Sequence, residues 1–108
     1  MTILESLRSL SGYPIPTVTI ENITEAQGLY MLDEATPETR QSTEYRKAEA
    51  YVYLFLSDAP NVSQGGVSYS FNEEERRRFR NRATGILSEV TSYHSNSIVN
   101  FGYKGEDL

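Results

Sequence analysis

Apolar positions at the amino end recur at helical spacing, with Ile3, Leu4, Leu7 and Leu10 behind Thr2-Ile3-Leu4-Glu5. That tetrapeptide reads as a capping box, in which a Thr hydroxyl and a Glu carboxylate each take a free N–H at a helix start. The pattern predicts a short helix from about Ile3 to Ser11, ended by Gly12. Tyr13-Pro14-Ile15-Pro16 cannot continue it, because each proline drives its preceding residue into an extended conformation, so this stretch reads as a stiff linker. From Thr17 the pattern serves two geometries. Val18, Ile20 and Ile23 suit a strand at first, whereas Ile20, Ile23, Ala26 and Gln27 followed by Gly28 suit a helix with a glycine C-cap. The helix, about Val18 to Gln27, is favoured, and 17–23 stay ambiguous. Leu29 to Pro37 reads as a connector, with Thr36 and Pro37 offering an N-cap and first position for a short helical turn.

Thr43 to Ser57 is the most apolar segment. Tyr45, Ala48, Val52, Phe55 and Leu56 form one stripe of a helical wheel, and Ala50, Tyr53 and Leu54 fall on the opposite side. A helix apolar nearly all round is buried on several faces, so it is either the centre of a bundle or partly covered by another subunit. Its aromatic and β-branched content leaves a strand open. Asp58 to Ser70 reads as a loop in which Val67-Ser68-Tyr69-Ser70-Phe71 alternates like a half-buried strand with no evident partner in the chain. Such a strand needs its backbone groups satisfied, and a neighbouring subunit is one source.

The last helix is the best determined. Ser70-Phe71-Asn72-Glu73 matches a second capping box, with Asn72 and Glu75 as an overlapping alternative, and Glu73, Glu74 and Glu75 suit the positive end of a helix dipole. Phe79, Ala83, Ile86, Leu87 and Val90 lie within about a 100° arc, and a helix of roughly 20 residues, about 30 Å long, is expected to end near Thr91. Ser92 to Leu108 reads as a polar, flexible tail with one apolar cluster at Ile98, Val99, Phe101 and Tyr103. The fold class expected is all-α: one domain over 1–108, a small bundle of about four helices with an extended loop and a C-terminal tail.

With 108 residues the chain has room for one core. It contains no cysteine and one histidine, His94, which removes disulfides, thiolate sites, Cys nucleophiles and His-rich metal centres. Its longest apolar run, Ala50 to Leu56, falls far short of the roughly 20 residues that span a bilayer. Met1 to Leu10 has no signal-peptide core, so an intracellular protein is expected, and the sequons at Asn22 and Asn61 are chance matches. The net charge of −5 argues against a generic nucleic-acid binder. Charge is nevertheless uneven: residues 1–71 hold four basic and nine acidic side chains, while 72–92 hold five arginines and four glutamates.

Few constellations carry chemistry. In Glu73 to Arg82, pairing at i,i+4 is expected for Glu73 with Arg77 and Glu74 with Arg78. Arg80 and Arg82 lack a carboxylate four residues away and flank the apolar stripe, where they could cover its edges and reach acidic residues of a neighbouring element or subunit. Tyr93-His94-Ser95 holds no triad, since such groups must converge in space. Gly65-Gly66 is a turn requiring positive φ and not a phosphate loop. Asp33, Glu34 and Glu38 lack Ca²⁺-loop spacing and read as exposed charge. Neither a metal nor a cofactor is implied, and no enzymatic activity is expected. Eight tyrosines without tryptophan is a high count. Tyrosine joins apolar area to a polar tip, and Tyr69 and Tyr103 are the interface candidates among them.

Two stretches carry a resemblance: Ser63-Gln64-Gly65-Gly66-Val67-Ser68-Tyr69-Ser70-Phe71 running into the Glu/Arg-rich helix, and Phe101-Gly102-Tyr103-Lys104-Gly105. With the first helix and the overall length, they resemble small proteins of Bacteroides-type prophages, a family similar to the head–tail connector (adaptor) proteins of tailed phages. The resemblance implies a mostly helical structural subunit that assembles as a ring between portal and tail. Its partners would be further copies, the portal and tail-completion proteins, with no membrane and no sequence-specific nucleic acid. It would reside in the virion, or in the bacterial cytoplasm when expressed from a prophage. The interface candidates are Gly66, Val67, Tyr69, Phe71, Arg80, Arg82, Phe101 and Tyr103. The alternative is a monomeric protein-binding or regulatory accessory domain of a prophage that uses the basic stretch of its last helix.

Overall fold

A computed structural model describes residues 1–98. They form five helices and one hairpin: α1 (Ile3–Arg8), α2 (Thr17–Ala26), α3 (Pro37–Gln41), α4 (Thr43–Ser57), β1 (Val62–Gln64), β2 (Val67–Tyr69) and α5 (Glu73–Ile98). The protein is mostly helical, but the expected all-α bundle is corrected by a small sheet. The short helix expected after Thr36 and Pro37 is present at Pro37–Gln41, started by the Thr36 hydroxyl accepting from Thr39 N–H at 3.1 Å. The Gly65-Gly66 loop is a β-hairpin with the antiparallel register Val62↔Tyr69, Ser63↔Ser68 and Gln64↔Val67. The strand expected to lack a partner therefore has one five residues upstream.

Helix starts follow their side chains. Glu5 N–H donates to Thr2 Oγ1 at 3.1 Å and Thr2 N–H to Glu5 Oε1 at 2.8 Å, the reciprocal box expected. The remaining free donors of that first turn find carbonyls on the connector, Ile3 N–H on Asp33 and Leu4 N–H on Met31, so the connector is tied along the amino end. At α5 the alternative box forms: Glu75 N–H donates to Asn72 Oδ1 at 2.8 Å and Asn72 N–H to Glu75 Oε1 at 2.9 Å. The ambiguous segment 17–23 is helical. It stops in a Schellman motif, with Leu29 N–H on Thr24 O and Gly28 N–H on Glu25 O, which requires the positive φ of Gly28. α5 runs past the expected stop at Thr91, because no glycine or proline stands between Ser92 and Ile98 to end it.

The hydrophobic pattern places α4 at the centre. It packs on α1, α2, α3 and α5, and among the described residues it is the only helix in backbone contact with α5. Ile3, Leu7, Ile20, Val52 and Leu56 are fully buried around it. Burying a side chain of this size contributes roughly 1.5–3 kcal/mol. Of the two explanations for an all-round apolar helix, the bundle centre applies, and α4 leaves only one large apolar ring, Tyr51, exposed. α5 lies antiparallel to α4: Arg76 at its start donates to the Ser57 carbonyl, and Glu89 pairs with Arg46 near the start of α4. No described helix is long and apolar enough to cross a membrane.

Candidate interaction surface

The hairpin is built from local rules. Gly65 and Gly66 have φ of +60° and +80°, the pair of positive values that a two-residue turn needs to match the strands' twist. Gln64↔Val67 closes the turn as the hydrogen-bonded pair, so alternation makes Ser63↔Ser68 the open pair, whose peptide groups face away from the ribbon. Ala59 to Asn72 contains no charged residue, and the edges therefore lack the lysines that commonly blunt a free strand. Val67, beside the turn, is 51% exposed.

The base of the hairpin is clamped to the amino-terminal linker. Tyr13, itself buried, stacks on Phe71 with ring centroids 5.6 Å apart and meets Phe55 and Tyr69 edge-on. Its hydroxyl donates to the Pro60 carbonyl at 2.5 Å. Phe71 also meets Phe79 of α5 edge-on at 4.9 Å. Arg76 closes the other side, donating to the Ser57 carbonyl and Asn61 Oδ1 with its guanidinium over the Phe71 ring. The linker expected as a stiff spacer is thus the anchor of the hairpin. Tyr13 and Arg76 were not singled out by sequence, because their partners are 47 and 15–19 residues away. An open cleft of about 220 Å³ runs between Ser11–Tyr13 and Ser68–Phe71.

The candidates expected at an interface divide accordingly. Gly66 and Val67 are exposed at the tip, while Tyr69 and Phe71 are half-buried against Tyr13. Arg80 reaches Glu73 at 3.5 Å, and the Arg82 guanidinium lies 5.4 Å above the Tyr53 ring. Both arginines are thus engaged within the chain. The i,i+4 pairs expected for Arg77 and Arg78 do not form among the described residues, and Glu73 turns to Arg80. Phe101 and Tyr103 lie outside the described residues.

No group of three or more His, Asp or Glu side chains converges among the described residues. Glu34 of the acidic connector pairs with the terminal ammonium at 3.6 Å. A cleft of about 490 Å³ between the α3–α4 junction and α5 is bridged by Arg46 and Glu89, 2.7 Å apart. Burial on α4 raises the Glu49 carboxyl above its ordinary range, against the pull of Arg46 and Arg82. Burial likewise raises the Tyr45 phenol. The Tyr45 hydroxyl shares a hydrogen bond with the Ser6 hydroxyl. Comparison with known proteins adds no constraint: no family model, curated protein or solved structure matches the chain.

Proposed function

We propose that this protein is a structural subunit, a phage head–tail connector that assembles as a ring between portal and tail. The observation that carries the reading is the hairpin: an uncharged, glycine-tipped ribbon whose base is locked to the core while its apolar tip faces water. Such an element is stiff where it joins the body and unsatisfied where it ends, which suits docking by strand edge and tip. The sequence resemblance runs through this same segment. The net negative charge also suits a channel through which DNA must slide.

The closed core favours the second reading, a monomeric protein-binding accessory domain, because α4 and β2 are satisfied within one chain. The two separate on one experiment. The purified chain is mixed with a tailed-phage portal protein from the same genome and imaged by negative stain, with light scattering in parallel. Ring-shaped caps on the portal are expected, and small discrete complexes or unchanged portals would overturn the connector reading. A monomer in the absence of portal is compatible with both.

A further inference from the structure

Charge is divided between two flanks of α4. α2 and α5 each pack on α4 and make no backbone contact with one another. Along α2 the outward positions are Thr17, Val18, Asn22, Glu25 and Ala26, with Glu21 partly exposed beside them, and the helix contains no Lys or Arg. Arg8, which reaches the start of α2, is committed to the Ile15 carbonyl at 3.2 Å and the Thr17 hydroxyl at 2.6 Å. On the other flank Arg77 and Arg78 are exposed and pair with no carboxylate among the described residues. Of the three glutamates that open α5, Glu75 is held by the Asn72 N–H and Glu73 by Arg80. Neither Glu74 nor Glu75 forms an ion pair with these two guanidinium groups among the described residues.

Nothing within one copy brings these flanks together. We infer that they meet between copies: the outward face of α5 around Arg77 and Arg78 docks on the acidic face of α2 around Glu21 and Glu25 of the next copy. This rests on the reading of the chain as an assembling subunit and names the surfaces through which it assembles. Charge complementarity selects the occupant, because pairing like faces would set arginine against arginine or glutamate against glutamate. Apolar area supports it. Val18 is 58% exposed and Tyr30, just past the end of α2, is 59% exposed, so both can cover arginine stems. Next to the arginines, α5 exposes Asn81, Thr84 and Gly85, two short side chains and one position without any, which lets a second helix approach closely. Two different faces in contact make a heterologous interface, the kind that propagates head to tail and closes into a ring. Exposed ion pairs are individually weak, so this contact sets orientation and relies on repetition, or on a platform, for strength.

Because the chain has no cysteine, the contact can be trapped by disulfides. Ala26→Cys and Asn81→Cys, both at exposed positions, are introduced in separate chains that are mixed equally and oxidised. The mixed species is expected to make up well over half of the linked dimers, above the 2:1:1 proportion that random collision gives. The excess should vanish near 1 M salt, where the Debye length shrinks to about 3 Å. It should be lost when Arg77→Glu and Arg78→Glu are added to the Asn81→Cys chain, and return when Glu21→Lys and Glu25→Lys are added to the other, with helical circular dichroism unchanged throughout. A mixed species no more abundant than random collision gives, or an Asn81→Cys chain that links chiefly to itself, would overturn the inference. So would retention of the intact chain on double-stranded DNA that the arginine variant abolishes. Portal caps without the mixed link would sink this contact and spare the connector reading; the mixed link without caps would do the reverse.

Discussion

The hydroxyl groups of Ser6 on α1 and Tyr45 on α4 share a hydrogen bond buried between the two helices, 39 residues apart in sequence. Each group is the other's partner in a setting closed to water, with Tyr45 only 2% exposed. Ser6→Ala or Tyr45→Phe alone strands one buried hydroxyl, and each is expected to cost about 1–2 kcal/mol in urea unfolding. The double variant should be less destabilised than the two single losses added together, because no orphan remains. Additive losses would show that the two hydroxyls are independently satisfied.

The same burial gives Tyr45 a pH signature. Its phenol is raised above the ordinary value of 10.0, first by desolvation and against the hydrogen bond from Ser6. A raised value in the folded state means that folding favours the neutral phenol. The contribution is therefore complete below pH 10 and is lost as pH rises through the raised value. Tyr45→Phe should flatten this part of the alkaline decline of Tm while lowering Tm at neutral pH.

Glu49 has the same sign at the acidic end. Desolvation holds its carboxyl above the usual 4.5, so its protonated form is the better folded one, and its contribution falls as pH rises past that value. Glu49→Gln is expected to stabilise the protein at pH 7 by no more than about 0.5 kcal/mol, because Arg46 and Arg82 already offset much of the burial. The gain should shrink below pH 4, which a pH series of thermal melts would reveal.

Tyr13 couples the amino-terminal linker to the hairpin through one hydrogen bond and three rings. Tyr13→Phe is expected to cost about 1 kcal/mol by leaving the Pro60 carbonyl without this donor. Tyr13→Ala should cost about 3–5 kcal/mol, as large aromatic deletions do. Amide exchange at Val62 and Tyr69 should accelerate in the alanine variant beyond the loss of global stability if the ring is what holds the hairpin down.

What was legible in the sequence was whatever local chemistry decides. The bounds of α4 match the most apolar segment, Thr43 to Ser57, and the positive φ of Gly65 and Gly66 follows from the residue type alone. β1 was not legible, because Asn61-Val62-Ser63-Gln64 offers one apolar residue and no alternation to count. The partners of Arg80 and Arg82 were hidden for another reason. Glu73 stands seven residues back, two turns along the same face, and the Tyr53 ring belongs to another helix. The concentration of arginine in 76–82 was plain to read, whereas its separation from the carboxylates of α2 by the width of α4 is a fact of packing.

At the hairpin tip, fold and function can be taken apart by choosing which residue to change. A residue other than glycine at a left-handed position costs about 1–2 kcal/mol, so Gly66→Ala should loosen the turn and speed exchange of the Gln64 and Val67 amides. Gly65→Asn should do so less, since asparagine tolerates that geometry in two-residue turns. The tip is remote from the core around α4, and Tm should move little in either case. Val67→Asp leaves the turn alone and places a charge on the exposed tip. It is expected to preserve Tm and the exchange pattern while abolishing caps on the portal. A Val67→Asp chain that caps the portal as well as the parent would show that the tip makes no contact there, and the docking role would then have to lie with the strand edges or with the cleft beside Tyr13.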